Sequence, residues 1–247
     1  MKTMPSAHQL QRQAFLAWYH AADLGQTLQS LESSYLKSAL ELTYNRKTLQ
    51  VGWLGTEGCY IGQDFLGDFV VAGGEGSHRH PPFVAADADA LPFATESIDT
   101  LILPHVLEFE PDRHQVLREA ERVLKPEGRL LVLGLNPWCP RRLLQLHCRS
   151  SFWNARQIPS HQLLDWLSLL KFDAERDAAF GHSKPAVRTT ETPWARLQSG
   201  LAMAYAIKAV KRSYTLIPIE PDWLRMPQLV SGRLMDTPQF SKHPNHD

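Results

Sequence analysis

FVAADADALPFATESIDTLILPHVLEFEPDRHQVLREAERVLKPEGRLLVLGL, the stretch from Phe83 to Leu135, divides into strand, loop, strand, helix and strand. Phe83 to Ala86 is a short apolar run that ends in acid at Asp87 and Asp89. Leu91-Pro92-Phe93 punctuates a loop, because proline fixes its own φ and pushes Leu91 toward extended geometry. Ile98 to Leu103, followed by Pro104, is apolar and too short for a helix, which predicts a second strand. From Asp112 to Leu124 the residues Val116, Leu117, Ala120, Val123 and Leu124 recur at helical spacing. Lys125-Pro126-Glu127-Gly128 stops that helix, and Arg129 to Leu135 is a third apolar strand.

Nearly continuous apolar strands separated by a helix imply parallel strands buried on both faces. Ligands of such sheets bind in the crevice beyond the carboxyl ends of the strands. Asp87, Leu103 to His105 and Asn136 all stand at such ends, so the site is expected there.

The same residues resemble the type 11 branch of class I S-adenosylmethionine (SAM)-dependent methyltransferases. The match runs through Asp87-Ala88, Leu91-Pro92-Phe93, Ser97-Ile98-Asp99, Val106-Leu107-Glu108, Leu117-Arg118-Glu119-Ala120 and Arg122 to Gly128. The resemblance implies an α/β, Rossmann-like, doubly wound and mostly parallel seven-stranded sheet, with an antiparallel edge strand and N-terminal helices. It implies SAM as cofactor and a small-molecule methyl acceptor. Asp87 would bind the adenine amino group with the Ala88 backbone beside it, and Leu103, Pro104 and His105 would line the methyl-transfer cleft. His105 is either a proton acceptor for the incoming nucleophile or a packed wall residue.

Thr48 to Leu54 is the expected first strand, followed by Gly52, Gly55 and Gly58. The family loop reads acid-x-Gly-x-Gly-x-Gly and lets backbone approach the cofactor. Here Gln50 stands in place of the acid and Leu54 in place of a glycine, which implies weak cofactor binding. Phe69 to Ala72 is the expected second strand; Glu75 after it is either the ribose-binding carboxylate of the family or a solvated loop residue.

The bulk numbers exclude several classes. In 247 residues, Lys plus Arg and Asp plus Glu are 26 each, so no overall field attracts nucleic acid or an anionic membrane. Three cysteines without regular spacing point to a reducing compartment, and the N-terminus lacks a signal-like apolar core. A cytoplasmic protein without nucleic-acid or membrane partners is expected. No metal site is expected: neither His78-Arg79-His80 nor Cys139, His147 and Cys148 has a zinc spacing.

Residues 8 to 43 read as helical, with Leu24, Leu28, Leu31, Tyr35, Leu36, Ala39 and Leu42 as the apolar stripe. They form either a helical layer on the sheet or a lid over the cofactor, with Tyr19 in the core. After the third strand, Asn136 and Arg141 are candidate substrate residues, although paired arginines also begin exposed helices. A helix from Ser160, capped by it, runs to Leu170; Phe172 to Phe180 and Ala202 to Val210 are the sixth and seventh strands, an antiparallel hairpin at the sheet edge. Lys208, Lys211 and Arg212 read as a solvated basic edge. One domain spans 1–235, with a helical layer at 1–47 and a Rossmann-like core at 48–215, before a polar tail at 236–247. Two readings compete with the enzyme. One is a catalytically impaired protein that keeps the fold as a binding or scaffold module. The other is a nicotinamide dehydrogenase, disfavoured because no Gly-x-Gly-x-x-Gly opens a helix after the first strand.

Overall fold

The structure is a computed structural model that describes residues 6–41, 47–52, 54, 69–71, 83–140, 156–181, 185–187 and 202–212. The chain divides into two compact units, Met1–Ser213 and Tyr214–Asp247, and every described residue lies in the first. The expected domain end at 235 and the tail beyond it fall outside the described residues.

Two helices come first, α1 (Ala7–Ala21) and α2 (Asp23–Glu41). Ser6 starts α1 with a capping box: its hydroxyl accepts from the Gln9 N–H at 3.3 Å, and the Gln9 side chain accepts from the Ser6 N–H at 2.8 Å. The helical stretch expected over 8–43 consists of these two helices, divided at Ala22, which is extended. Gly25 explains how closely the two helices pack: a Cβ there would lie 2.4 Å from the Trp18 carbonyl oxygen and 2.7 Å from Tyr19 Cα.

The strands are β1 (Thr48–Val51), β2 (Phe69–Val71), β3 (Phe83–Val84), β4 (Ile98–Pro104), β5 (Leu124–Leu135), β6 (Phe172–Phe180), β7 (Pro185–Val187) and β8 (Ala204–Lys211), with α3 (Arg113–Val123) and α4 (Ser160–Leu169) between them. Among the described residues they form one eight-stranded sheet in the order β3-β2-β1-β4-β5-β8-β6-β7. The first five in that order are mutually parallel, β8 is antiparallel to both its neighbours, and β7 is antiparallel to β6. This is the mostly parallel, doubly wound α/β architecture. One detail of the expectation is corrected: among the described residues the sheet has eight strands rather than seven, because Pro185–Val187 also pairs with β6. The expected antiparallel hairpin at this side of the sheet is the β6–β8 pair, with β8 between β5 and β6 and the antiparallel β7 outermost.

Alternation along each strand builds two cores. Leu101, Leu103, Leu130, Val132, Ile207 and Ala209 face α3 and α4. Ile102, Leu131, Leu133, Leu135, Ala204 and Ala206 face α1 and α2, where Phe15, Tyr19, Leu28 and Leu36 are fully buried. Asp112 caps α3 by accepting from the Gln115 N–H at 2.9 Å. At its other end Lys211, expected at a solvated edge, is buried and donates to the carbonyls of Glu121 and Leu124 at 2.7 and 3.0 Å. Ser160 does not cap α4: Pro159 holds that position without a side-chain hydrogen bond. No helix among the described residues is long and apolar enough to cross a membrane.

Candidate functional site

The carboxyl ends of β1, β3, β4 and β5 converge on one rim of the sheet, and the sequence-derived candidates lie along it. At the end of β1, Gly52 has φ +95, a conformation that disfavours side chains. A Cβ at Gly52 would lie 3.2 Å from Val106 Cγ2 and 3.5 Å from Arg12 Nη2, so the guanidinium of α1 lies against this bare backbone. Gln50 is wholly buried; its amide donates to the carbonyls of Gly52 and Leu54, both at 2.9 Å. Leu54 is only 3 % exposed and belongs to the core under α1 and α2. The two departures from the family pattern are therefore one local solution: the glutamine ties the turn down and the leucine seals it.

Beyond β3, Asp87 is exposed and Ala88 is buried, with the Asp87 carbonyl accepting from the Ala90 N–H at 3.2 Å. The following loop is fastened to α3. Arg122 donates to the carbonyls of Leu91 and Phe93 at 2.9 and 2.8 Å, while Glu119 accepts from the Leu91 N–H at 3.1 Å. Arg122 and Glu119 pair at 2.8 Å. Nearby, burial raises the Glu110 carboxyl above its ordinary range; Arg12 opposes that shift, and the charges of Asp89 and Asp87 add to it. Burial likewise lowers the Arg12 guanidinium, with Glu110 as the compensating charge.

The β4 end carries a closed ionic cluster. His105 adopts φ +51, which costs a non-glycine residue on the order of 1–3 kcal/mol and is held by its own N–H donating to Leu133 O at 3.0 Å. Its ring is 1 % exposed, with Nε2 2.9 Å from Glu32 Oε1 of α2 and Nδ1 3.6 Å from Glu108 Oε1. The other Glu32 oxygen accepts from the Tyr19 hydroxyl at 2.6 Å. Glu108 Oε1 also accepts from the Leu135 N–H at 2.7 Å. Phe15 and Tyr19 close over the imidazole at ring-centroid distances of 5.1 and 6.1 Å. Burial alone would depress the imidazole, but Glu32 and Glu108 outweigh it and raise its pKa to about 10. His105 is thus a cation at neutral pH.

At the β5 end, Asn136 spends its side chain on the fold. Nδ2 donates to Ala202 O at 2.8 Å and Oδ1 accepts from the Trp138 N–H at 3.1 Å. Trp138 beside it is 69 % exposed.

Comparison with known proteins agrees with this architecture. Residues 58–132 match the sequence model of a methyltransferase domain. A SAM-dependent methyltransferase of Thermotoga maritima, described as a possible histamine N-methyltransferase, superposes with a TM-score of 0.57 over 81 % of this chain and all of that one, at 17 % identity. The chain thus shares the fold of that methyltransferase and carries a methyltransferase-domain match over residues 58–132. Among curated relatives, the protein YafS of Escherichia coli K12, without an assigned function, is 40 % identical over 103 residues, which span 40 % of this chain and 43 % of YafS. A ubiquinone/menaquinone biosynthesis C-methyltransferase of Hahella chejuensis is 51 % identical over 51 residues, 21 % of this chain and 20 % of that protein. The chain therefore spans less than half the length of these curated relatives.

Within this methyltransferase fold, Gly52, Asp87, Ala88 and Pro104 stand on the strand-end rim as expected. Leu103 is instead buried in the core under α3 and α4, because alternate strand residues face opposite sides. His105 lies on the rim and is enclosed, with a carboxylate on each side, Glu32 and Glu108. Gly55, Glu75 and Arg141 fall outside the described residues. Among the described residues no cluster of His, Cys, Asp or Glu is arranged to hold a metal ion. Sequence reasoning missed Arg12, Glu32 and Glu108. Glu32 carried a legible signal: it stands four residues from Leu28 and four from Leu36, an acid on the apolar face of α2.

Proposed function

We propose that the protein is a SAM-dependent methyltransferase acting on a small-molecule acceptor in a reducing, cytoplasmic compartment. The observation that supports this most is the pairing, on the rim of a 3-2-1-4-5 parallel sheet, of bare positive-φ backbone at Gly52 with an exposed carboxylate at Asp87. Such a rim fits a nucleoside bearing an amino-acid tail. Backbone without a Cβ admits close approach, and the carboxylate accepts from an exocyclic amine. Gly52 and Asp87 would hold the cofactor, with the Ala88 N–H beside the adenine.

When bound, SAM supplies an electrophilic methyl on sulfonium, and the chain's task is alignment and exclusion of water. Phe15, Tyr19 and Phe109 exclude water from the β1 and β4 ends. His105 acts through position: as a cation between Glu32 and Glu108 it fixes α2 to the strand ends and leaves the acceptor's proton to another group. Asn136 shapes the turn before Trp138 and does not touch substrate.

Titration calorimetry with SAM and S-adenosylhomocysteine tests this reading, followed by transfer of labelled methyl to fractionated small metabolites. Saturable binding of both nucleosides is expected. Absence of binding at millimolar ligand would sink the proposal and leave the second reading, a module that uses the fold to bind a partner. Leu54, buried where the family has glycine, favours that second reading; binding of S-adenosylhomocysteine without methyl transfer to any fraction would support it.

A further inference from the structure

We infer that Arg113 and Arg156, at the corner of the rim where α3 and α4 begin, bind the carboxylate or phosphate of an acidic small-molecule methyl acceptor. The assignment to an acceptor rests on the SAM reading above. Arg113 opens α3 after the β4 end, and Arg156 stands shortly before α4. The two are tied together, with an Arg113 Nη2 N–H donating to the Arg156 carbonyl. Tyr205 fastens the same segment to β8: its hydroxyl donates to Ile158 O at 2.7 Å, and Ala204 beside it pairs with Leu135 at the end of β5. The pair therefore stands at the strand ends, where ligands of a parallel sheet bind.

Three observations point to an anion. First, two like charges are held side by side. Burial lowers the Arg113 guanidinium below its ordinary value; Glu108 opposes that shift, and Arg156 adds to it. Yet neither arginine lies within ion-pair distance of an Asp or Glu among the described residues. A bound anion would relieve their mutual repulsion. Second, Gln157, next to Arg156, has both side-chain polar atoms buried and without a hydrogen-bond partner. Buried amides are normally paired; here the nitrogen can donate to the anion and the oxygen can accept from a hydroxyl of the same ligand. Third, from Asn136 to Leu164 the sequence carries Arg141, Arg142, Arg149 and Arg156 but neither Asp nor Glu. In a chain with 26 basic and 26 acidic residues, that is a local basic stretch between β5 and α4. Arg156 is exposed and Arg113 half-buried, so an acid group can reach both from solvent. Each planar fork offers a carboxylate or phosphate two parallel N–H donors.

The test follows the arginine Nε–H signals of the full chain by NMR during titration with inorganic phosphate and with acetate, alone and in saturating S-adenosylhomocysteine. Saturable shifts of the Arg113 and Arg156 signals are expected in both settings, because the acid site and the nucleoside site are separate. Arg156→Gln, at an exposed position, is expected to keep the parent's melt and weaken phosphate about tenfold, and Arg113→Gln at least as much. S-adenosylhomocysteine affinity should stay within about twofold in both variants. Where labelled methyl is transferred to a metabolite fraction, the product should be retained on an anion exchanger. Shifts that never saturate would overturn the inference, as would unchanged phosphate affinity in Arg156→Gln or an unretained methylated product. So would loss of phosphate binding on adding S-adenosylhomocysteine, since the arginines would then hold the nucleoside's own carboxylate. If S-adenosylhomocysteine does not bind the unaltered chain, the SAM reading fails and the assignment to a methyl acceptor falls with it. If S-adenosylhomocysteine binds and phosphate does not, the acid site alone fails.

Discussion

Substituting Gln50→Asp and Leu54→Gly brings the first loop back to the family pattern, and by sequence alone that change should improve cofactor binding. The structure predicts the opposite. Gln50 Nε2 donates to two buried carbonyls at 2.9 Å each, and an aspartate has no donor for either. Leaving a buried acceptor unsatisfied costs about 1–3 kcal/mol, so the two together cost about 2–6 kcal/mol before the repulsion of a carboxylate by carbonyl oxygens is counted. Leu54→Gly deletes a side chain that is 3 % exposed in the core with Phe15, Tyr19 and Phe109. Truncating a buried leucine to alanine costs about 2–5 kcal/mol, and the added backbone freedom of glycine about 0.5–1 kcal/mol more. The two changes are coupled, because one of the lost hydrogen bonds ends on Leu54 itself, so their costs do not simply add.

Thermal unfolding followed by circular dichroism reads the result. In a unit of this size about 1 kcal/mol moves Tm by about 2–4 °C, so a loss of about 3 kcal/mol for Gln50→Asp appears as a fall of about 6–12 °C. Gln50→Glu keeps the side-chain length but replaces the donors with a charged acceptor; it should lose at least as much stability. Calorimetry on the double variant should show no tighter SAM binding than the unaltered chain. A Gln50→Asp variant that melts with the parent, or a double variant that binds SAM more tightly, would refute the reading of this turn as locked by glutamine and leucine.

Three further outcomes follow from the rim. Asp87→Ala should leave Tm within about 1–2 °C, since the residue is exposed, and weaken nucleoside binding about ten- to a hundredfold by loss of a charge-assisted hydrogen bond; calorimetry beside a melt checks both. His105, whose pKa rises from 6.5 to about 10 on folding, contributes stability that is complete below about pH 6.5 and is lost as pH climbs toward 10. The unfolding free energy from denaturant titrations should therefore fall between those limits, by at most about 1.4 kcal/mol per pH unit, and His105→Gln should flatten that slope; a parallel slope in the variant would mean the imidazole is neutral in the fold. Asn136→Ala should cost about 1–3 kcal/mol of stability through its lost bonds to Ala202 O and Trp138 N–H, with no selective effect on KM for an acceptor once one is in hand.

How much of this was legible beforehand depended on what set each feature. The central β-α-β run was readable because its strands are buried on both faces and its helix ends in Pro126 and Gly128, so local pattern and tertiary role coincide. The motif residues Glu119 and Arg122 were visible as a resemblance, but their work, gripping the carbonyls of Leu91 and Phe93, depends on a loop about thirty residues away and had no local signature. The place of β8 was beyond periodicity: nothing in AYAIKAVK tells an edge strand from one wedged between β5 and β6. Lys211 was misread for the same reason, because a lysine that caps a distant helix looks like any surface lysine until its partners are in place. At the site, Asp87 and Gly52 were legible because strand ends are. Arg12 and Glu32 were not read, since their meaning comes from helices that cross the sheet rather than from the strands that make the rim.

Those helices are better understood as part of the site's interior than as a cover laid over it. Phe15, Tyr19, Leu28 and Leu36 are fully buried against the sheet, and fully burying one such side chain is worth about 1.5–3 kcal/mol. Lifting α1 and α2 away would expose all four, a cost on the order of 6–12 kcal/mol by the same measure. Lifting them would also part Glu32 from His105, while the His105–Glu108 pair stayed with the sheet; truncating one partner of such a buried pair typically costs about 3–5 kcal/mol. Among the described residues, α1 and α2 are thus a packed layer of the fold, and the rim is exposed on the Asp87 side beyond β3.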